Sequence, residues 1–381
     1  MPLIFIIALG LYLFAHIYLF FHLRSALPRR KGSRWAAGLV LGFLFSTLFL
    51  VGFVQRLFPS ALSEFFWKLG AWWFGFIFYA TLILLLIDLV GWLIFLGRLL
   101  FVQGSGGVRH RGIGLKTLLT VGVAVVLLLL SGHLNARKLR VVRHPLRLKA
   151  SCGPIRELDL VLISDLHLGV MVNRALLEQM VGAIEAIGPD LIVFAGDIVD
   201  RDIQFLKDGE VRELLAKFRA PLGVYAVTGN HEFISGADRV VDAFSRFGIV
   251  FLRDRAVRIG ESFYLAGRED MTARWMTGTE FPLRKILAEV DRRCPVILID
   301  HQPGRTEEAA DERVDLILCG HTHHGQLFPL NLITTVLYPV SWGYGVIGET
   351  QIYVTGGAGT WGPPVRIGNT PEIVHLQIEF Q

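Results

Sequence analysis

Four long apolar stretches fill the first third of the chain, at about 3–23, 36–54, 71–96 and 115–134. A helix needs about 20 predominantly apolar residues to cross a bilayer core, and each stretch comes near that length. A cleaved signal peptide would account for only one of them. The first lacks both a basic leading segment and an obvious small-residue cleavage site. The expectation is therefore a transmembrane region over 1–134 with about four α-helical spans. Composition agrees, since 52 % of the 381 residues are hydrophobic and only 19 % charged, against ~25 % charged in ordinary soluble domains. Disorder and a small disulfide-stapled scaffold are both excluded.

Trp35, Trp67, Trp72, Trp73 and Trp92 lie at or near span ends, where amphipathic rings favour the headgroup region. Asp88 is an acid within the third span. Two readings of it stand: a relay or coordinating group, as intramembrane ionisable residues often are, or a hydrogen bond inside a helix bundle.

The net charge of +5 suggests nucleic-acid binding until the charge is located. Residues 1–134 hold eleven Lys or Arg against Glu64 and Asp88, and 135–150 add six basic residues without an acid. That leaves 21 basic and 31 acidic residues in 151–381, so the C-terminal domain is acidic. An acidic domain argues against a nucleic-acid partner. The basic segment 135–156 is read as a juxtamembrane linker. It either holds anionic headgroups, at about 1 kcal/mol per basic residue, or serves as a stop-transfer flank.

Loop charges give the orientation. Arg24, Arg29, Arg30, Lys31 and Arg34 crowd the first connection, Arg56 and Lys68 the second, and Arg98, Arg109, Arg111 and Lys116 the third. This alternation places both termini outside the cytoplasm. The basic cluster after the last span argues the reverse and makes the count nearly even, so the first loop decides for an extracytoplasmic C-terminal domain. Cys152, Cys294 and Cys319 are scattered without metal-finger spacing, which reads as small apolar filler.

From about 157 to 381 short β-rich runs alternate with amphipathic segments, an α/β layout with helices covering the strands. The later strands have fewer helices between them, which a second sheet packed on the first would explain. Polar residues cluster where the apolar runs end: Ser164-Asp165-Leu166-His167, Gly196-Asp197-Ile198-Val199-Asp200, Thr228-Gly229-Asn230-His231-Glu232, Asp300-His301, and Gly320-His321-Thr322-His323-His324-Gly325. Ligands of open α/β sheets bind outside the carboxyl ends of the strands, so these five ends converge on one site. Carboxylates, a carboxamide and imidazoles without a thiolate suit Mn, Fe, Zn or Co better than Mg or Ca. The donors exceed one ion's needs and fit two divalent ions about 3.5–4 Å apart, bridged by one carboxylate.

The run D-x-H, G-D-x-x-D, G-N-H-E, a later His, then G-H-x-H closely resembles the calcineurin-like binuclear metallophosphoesterases. The likeness covers about 157–380, and details such as Gly359-Thr-Trp-Gly-Pro-Pro-Val-Arg366 resemble a membrane-anchored bacterial branch. That branch is similar to phosphodiesterases and to pyrophosphohydrolases of lipid precursors. The resemblance implies a two-sheet metallophosphoesterase sandwich flanked by helices, following the membrane region. It implies that Asp165, His167 and His323 bind one ion, that Asp197 bridges, and that Asn230, His301 and His321 complete the second site. His231 then lies by the scissile phosphate, to stabilise charge or protonate the leaving oxygen.

Asp200 is expected either to orient a ligand or a turn, or to cap the helix that follows. His324 replaces the Gly usual in the branch and would narrow the pocket or touch substrate, and Asp300 would hydrogen-bond the His301 ring or face solvent. The implied function is a two-metal phosphoesterase of a bacterial cytoplasmic membrane, cleaving a phosphodiester or pyrophosphate of a lipid-linked or cell-envelope substrate. Its rivals are a phosphomonoesterase whose spans only localise it, and a membrane transport or sensing protein with a regulatory metal-binding domain.

Overall fold

The computed structural model describes residues 3–28, 31–57, 61–101, 113–170, 174–278 and 281–381. Arg29, Arg30, Arg109 and Arg111, counted above for orientation, lie outside the described residues. The chain divides into two compact units, Met1–Gly132 and His133–Gln381.

The first unit is helical, as its unbroken apolar stretches require. Helices α1 (Leu3–Ala26), α2 (Lys31–Leu57), α3 (Ala61–Phe101) and α4 (Leu115–Ala136) carry the four stretches in turn, and the last turn of α4 belongs to the second unit. Among the described residues three helical segments are long and apolar enough to cross a membrane: Ile6–Ala26, Ala61–Leu100 and Leu115–Ala136. The stretch at 36–54 lies inside α2, a helix of 27 residues. With 41 residues, α3 runs for about 60 Å at 1.5 Å per residue, roughly twice a hydrocarbon core. α1, α2 and α3 pack pairwise. Asp88 accepts a hydrogen bond from the Tyr18 hydroxyl at 2.6 Å, and His22 Nε2 lies 3.1 Å from the same oxygen. That is the geometry of an interhelical hydrogen bond between α1 and α3.

The second unit is a four-layer α/β sandwich. Among the described residues twelve strands form: β1 (Arg140–Leu148), β2 (Glu157–Ile163), β3 (Leu191–Phe194), β4 (Val224–Ala226), β5 (Ile249–Phe251), β6 (Arg255–Ile259), β7 (Phe263–Gly267), β8 (Val296–Ile299), β9 (Leu316–Cys319), β10 (Gly343–Ile347), β11 (Thr350–Val354) and β12 (Glu372–Phe380). One sheet runs β1-β12-β2-β3-β4-β5 and the other β10-β11-β9-β8-β7-β6. β3, β8 and β9 are buried along their whole length. Strands covered on both faces need continuous apolar sequence, which LIVF, VILI and LILC supply.

Between the sheets lies a core of Leu160, Leu162 and Val193 from one and Ile297, Leu316 and Leu318 from the other. Helices α5 (Arg174–Ile187), α6 (Gly209–Leu215) and α8 (Ala237–Ser245) cover the first sheet, and α10 (Leu283–Ile286) and α11 (Thr306–Asp311) the second. Three short helices remain, α7 (Asn230–Ser235), α9 (Met271–Thr277) and α12 (Leu330–Leu337).

Two features depart from the sequence reading. The basic segment expected as a linker contains β1, which pairs in parallel with β12 at the edge of the first sheet. Its exposed arginines and Pro145 are what an edge strand tolerates. Cys152 and Cys294 are not apolar filler but form a disulfide, with Cα atoms 5.2 Å apart across 142 residues of sequence. Cys319 alone is free, and it is buried.

Candidate metal centre

Every candidate ligand sits just beyond the carboxyl end of a strand. Asp165 and His167 follow β2, Asp197 and Asp200 follow β3, Asn230 and His231 open α7 after β4, His301 follows β8, and His321 and His323 follow β9. The first three strands belong to one sheet and the last two to the other, so the site straddles the end of the sandwich. Close approach demands small residues here. A Cβ on Gly229 would meet Asp197 Oδ1 at 2.2 Å, and one on Gly320 would meet Ser164 Oγ at 1.9 Å.

The backbone is held where side chains resist. Asp165, His167, Asp197, His321 and His323 all have positive φ, between 48° and 70°. Non-glycine residues in this region cost of order 1–3 kcal/mol each and persist where the surroundings enforce them. At Asp197 that enforcement comes from Glu232. Its carboxylate is fully buried and accepts from the N–H groups of Asp197 (2.8 Å), Ile198 (2.8 Å), Val199 (3.1 Å) and Gly229 (2.6 Å). It therefore clamps the β3 loop to the β4 loop.

Three sets of donor atoms each fall within 4.8 Å of one another: Asp165, His167 and His323; Asp197, His301 and His321; and His167, Asp200 and His231. Nε2 of His167 and Nε2 of His323 face each other at 3.0 Å, with Asp165 Oδ1 3.3 Å from the latter. His301 Nε2 lies 3.3 Å from both Asp197 Oδ2 and His321 Nδ1. Asn230 Oδ1 is buried with no hydrogen-bond partner. An orphaned carbonyl oxygen and paired imidazole nitrogens turned on one another are what cations would satisfy, so the residues fit divalent metal ions.

Electrostatics sort the imidazoles. Burial and the neighbouring His231 bring His167 down to about 4, and burial with His301 brings His321 down to about 3. Burial, His167 and the Arg366 guanidinium hold His323 low as well. These rings are neutral near pH 7, the form that binds metal. Burial, reinforced by Asp197, pushes the Asp165 carboxyl up to about 6 against the pull of His301. For His231 burial opposes the charged form, but Asp197 and Asp200 outweigh it and raise the ring to about 9. The His231 backbone N–H donates to Asp197 Oδ1 at 2.8 Å, and the ring Nδ1 lies 2.7 Å from the Asp200 carbonyl and 3.3 Å from the Asp200 carboxylate. Asp200 thus contacts the His231 ring.

Asp300 corrects the sequence reading. Its carboxylate takes Arg268 at 2.5 Å and 2.9 Å and Arg305 at 3.1 Å, and it is buried. The ring nitrogens of His301 go to the Ala195 carbonyl and to Asp197 instead. Asp300 thus neither orients that ring nor faces solvent. His324 stacks on Trp342, with ring centroids 4.6 Å apart.

Sequence reasoning assigned no role to Glu232, Arg366 or Asp270. Glu232 had a signal, its position three residues after Gly229 at the start of a helix, where a glutamate carboxylate accepts from the N-cap N–H. Arg366 is fully buried, donates to the Gly357 and Gly359 carbonyls and lies 3.3 Å from His323 Nδ1. Asp270 caps α9 and receives Gln302 Nε2 at 2.7 Å.

A calcineurin-like phosphoesterase family model matches residues 158–325. An uncharacterized metallophosphoesterase of Aquifex aeolicus (strain VF5) is 33 % identical over 258 residues, covering 67 % of this chain and 97 % of that protein. A Danio rerio protein named transmembrane protein with metallophosphoesterase domain is 34 % identical over 237 residues, covering 59 % of this chain and 54 % of its own. Phosphodiesterase YaeI of Escherichia coli (strain K12) is 29 % identical over 253 residues, covering 62 % and 87 %. The chain spans 54 % and 64 % of the lengths of the Danio rerio and Bos taurus transmembrane relatives. The chain belongs to the calcineurin-like phosphoesterase family, and its apolar helices, like the names of those two relatives, mark it as a membrane protein.

Proposed function

We propose that this membrane-held calcineurin-like phosphoesterase hydrolyses a phosphodiester or pyrophosphate bond, in a lipid-linked or cell-envelope substrate, at a centre for two divalent ions. Asp165, His167 and His323 would hold one ion and Asn230, His301 and His321 the other, with the Asp197 carboxylate available to both. The observation that carries the reading is the convergence of two carboxylate–imidazole sets on one buried site that also holds the unpartnered Asn230 Oδ1. The ions, chosen from Mn, Fe, Zn or Co by the O/N donor set, supply Lewis-acid stabilisation of the phosphoryl oxygens and acidify a water.

The chain's own groups do the rest. Asp200 fixes His231 through Nδ1, which leaves Nε2 for the leaving-group oxygen. Asp197 and Asp200 favour the protonated ring, the form that donates a proton, and general acid help is typically worth about 10²–10⁴-fold. Glu232 holds the Asp197 loop and the Arg366 guanidinium lies against the His323 ring, so neither ligand needs to reorganise during turnover.

Two observations support a catalytic unit outside the cytoplasm, in a bacterial cytoplasmic membrane. The first connecting loop carries the largest cluster of basic residues among the three connections, and the Cys152–Cys294 disulfide belongs to an oxidising compartment. Asp88, the feature that favoured a transport or sensing reading, is engaged by Tyr18 and His22.

The test is hydrolysis of paired chromogenic phosphodiester and phosphomonoester substrates by the detergent-purified chain, with Mn²⁺ added and then chelated. Chelation-sensitive turnover that favours the diester supports the proposal. A preference for the monoester would replace it with the phosphomonoesterase reading, and activity on neither, with lipid pyrophosphates also inert, would replace it with a regulatory module.

A further inference from the structure

Just past the metal-ligand loop the sequence loses all charge. Residues 325–348 contain no Asp, Glu, Lys or Arg, in a domain that is otherwise acidic. This run includes α12, which buries none of its residues. Leu332, Ile333, Val336 and Leu337 on that helix are 54–85 % exposed, and Phe328, just before it, is half exposed. Apolar patches of this kind on a folded domain mark interaction surfaces.

The neighbourhood of α12 identifies what covers it. The last turn of α4 lies within the catalytic unit, and only three residues, 137–139, separate it from β1. Three extended residues reach only about 10 Å, so the end of α4 and the bilayer it leaves are close to this unit. Asn135 donates to the carbonyls of Arg366 (3.0 Å) and Asn369 (2.6 Å), and His133 Nδ1 lies 2.8 Å from the Pro364 carbonyl. The same 364–369 segment reaches the base of α12. The Phe328 N–H donates to the Ile367 carbonyl at 2.8 Å, and Asn369 Nδ2 donates to the His324 carbonyl at 3.1 Å. One continuous set of contacts therefore runs from the end of a membrane-crossing helix to the uncharged helix beside the metal centre. Half-exposed Trp361, tied through its backbone to Gln326, lies on this path, and exposed tryptophan favours the headgroup level.

We infer that α12 and Phe328 form a membrane-docking surface, with the exposed side chains of α12 seated in the hydrocarbon–headgroup boundary of the bilayer that the chain itself spans. An interfacial helix of this kind lies in the membrane plane with its apolar side chains shallowly buried. Tyr338, the residue that follows α12, meets the His321 ring at a centroid distance of 6.4 Å. Docking therefore puts the metal centre at the water–lipid boundary, where a phosphate on a lipid headgroup lies. The docking goes beyond the proposed activity and does not depend on the substrate being a lipid.

The experiment uses the full chain. Its native cysteines are either bonded or buried, so Val336→Cys and Glu349→Cys each add one accessible thiol. Glu349 is exposed at the start of β11, the end opposite the metal centre. Each variant is labelled with an environment-sensitive fluorophore and reconstituted into phosphatidylcholine vesicles with or without nitroxide groups on the acyl chains. Unchanged metal content confirms that each variant is folded. The expected result is blue-shifted emission from position 336, quenched several-fold more by acyl-chain nitroxide than emission from position 349. Water-like, unquenched emission from position 336 overturns the inference. So does a blue shift without lipid quenching that disappears when the protein is diluted in the bilayer, which would assign the surface to a second copy of the chain. Because no readout is catalytic, failure here and failure of the proposed reaction are separately visible.

Discussion

Replacing Glu232 by Gln tests whether the metal centre is built by a buried clamp. In the native chain Oε2 accepts from the Asp197 and Gly229 N–H groups, and Oε1 from those of Ile198 and Val199. The amide keeps one oxygen and turns an NH₂ donor toward two N–H donors. Rotating it only moves the conflict to the other pair. Two hydrogen bonds to a charged group are lost at about 1.5–3 kcal/mol each, which predicts a destabilisation of about 3–5 kcal/mol after local relaxation. For a unit of this size 1 kcal/mol shifts the melting temperature by roughly 2–4 °C, so the expected fall is on the order of 10 °C. The assay is thermal unfolding of the detergent-solubilised chain, followed by fluorescence, beside Glu312→Gln. Glu312 pairs with Arg292 on the surface, and such a pair is worth at most about 1 kcal/mol. Bound metal should fall with Glu232→Gln because the Asp197 loop is freed. If both variants melted within about 2 °C of the parent chain, Glu232 would not be the clamp described here.

Three further outcomes follow from the same geometry. His231→Ala should lower kcat by about 10²–10⁴-fold and leave metal content unchanged; loss of metal instead would make His231 a ligand. Asp165 binds metal only as the carboxylate, and its proton is held up to about 6. Metal affinity measured by titration should therefore fall as the pH drops through about 6, by about tenfold per unit from this carboxyl alone, a component that Asp165→Asn removes along with most of the affinity. The His301 ring, whose charge burial opposes but which Asp197 holds protonated above its ordinary range, adds its own dependence at higher pH. Paired Cys152→Ser and Cys294→Ser substitutions should cost about 2–5 kcal/mol, and a thiol reagent should label only Cys319 in the unfolded, unreduced parent chain; labelling of all three cysteines would contradict the disulfide.

The ends of five strands were readable from sequence because each apolar run stops at a polar residue with metal-binding chemistry, and a sheet places such ends together. Contacts that depend on distant residues were not readable. β1 pairs with β12, with Arg140 opposite Glu372, and its own sequence, broken by Pro145 and three arginines, carries only a weak alternating pattern. The disulfide likewise joins residues far apart in the chain, and scattered cysteines give no pairing. Asp300 misled because adjacency to His301 in sequence is not adjacency in space. Neighbouring side chains at a strand end point to opposite faces, so His301 turns to Asp197 while Asp300 turns to Arg268. Arg366 could not be found from its motif, since its role depends on the carbonyls of Gly357 and Gly359 being turned toward it.

In the proposed reaction Asp197 would serve two divalent ions at one phosphoester-hydrolysing site. Elemental analysis and diester hydrolysis on the same preparations of the parent chain and Asp197→Asn test it most directly. About two divalent ions per parent chain are expected, with activity lost on chelation and regained with Mn²⁺, and an Asp197→Asn protein that holds less metal and does not turn over. An Asp197→Asn protein that kept both ions and full activity would contradict it.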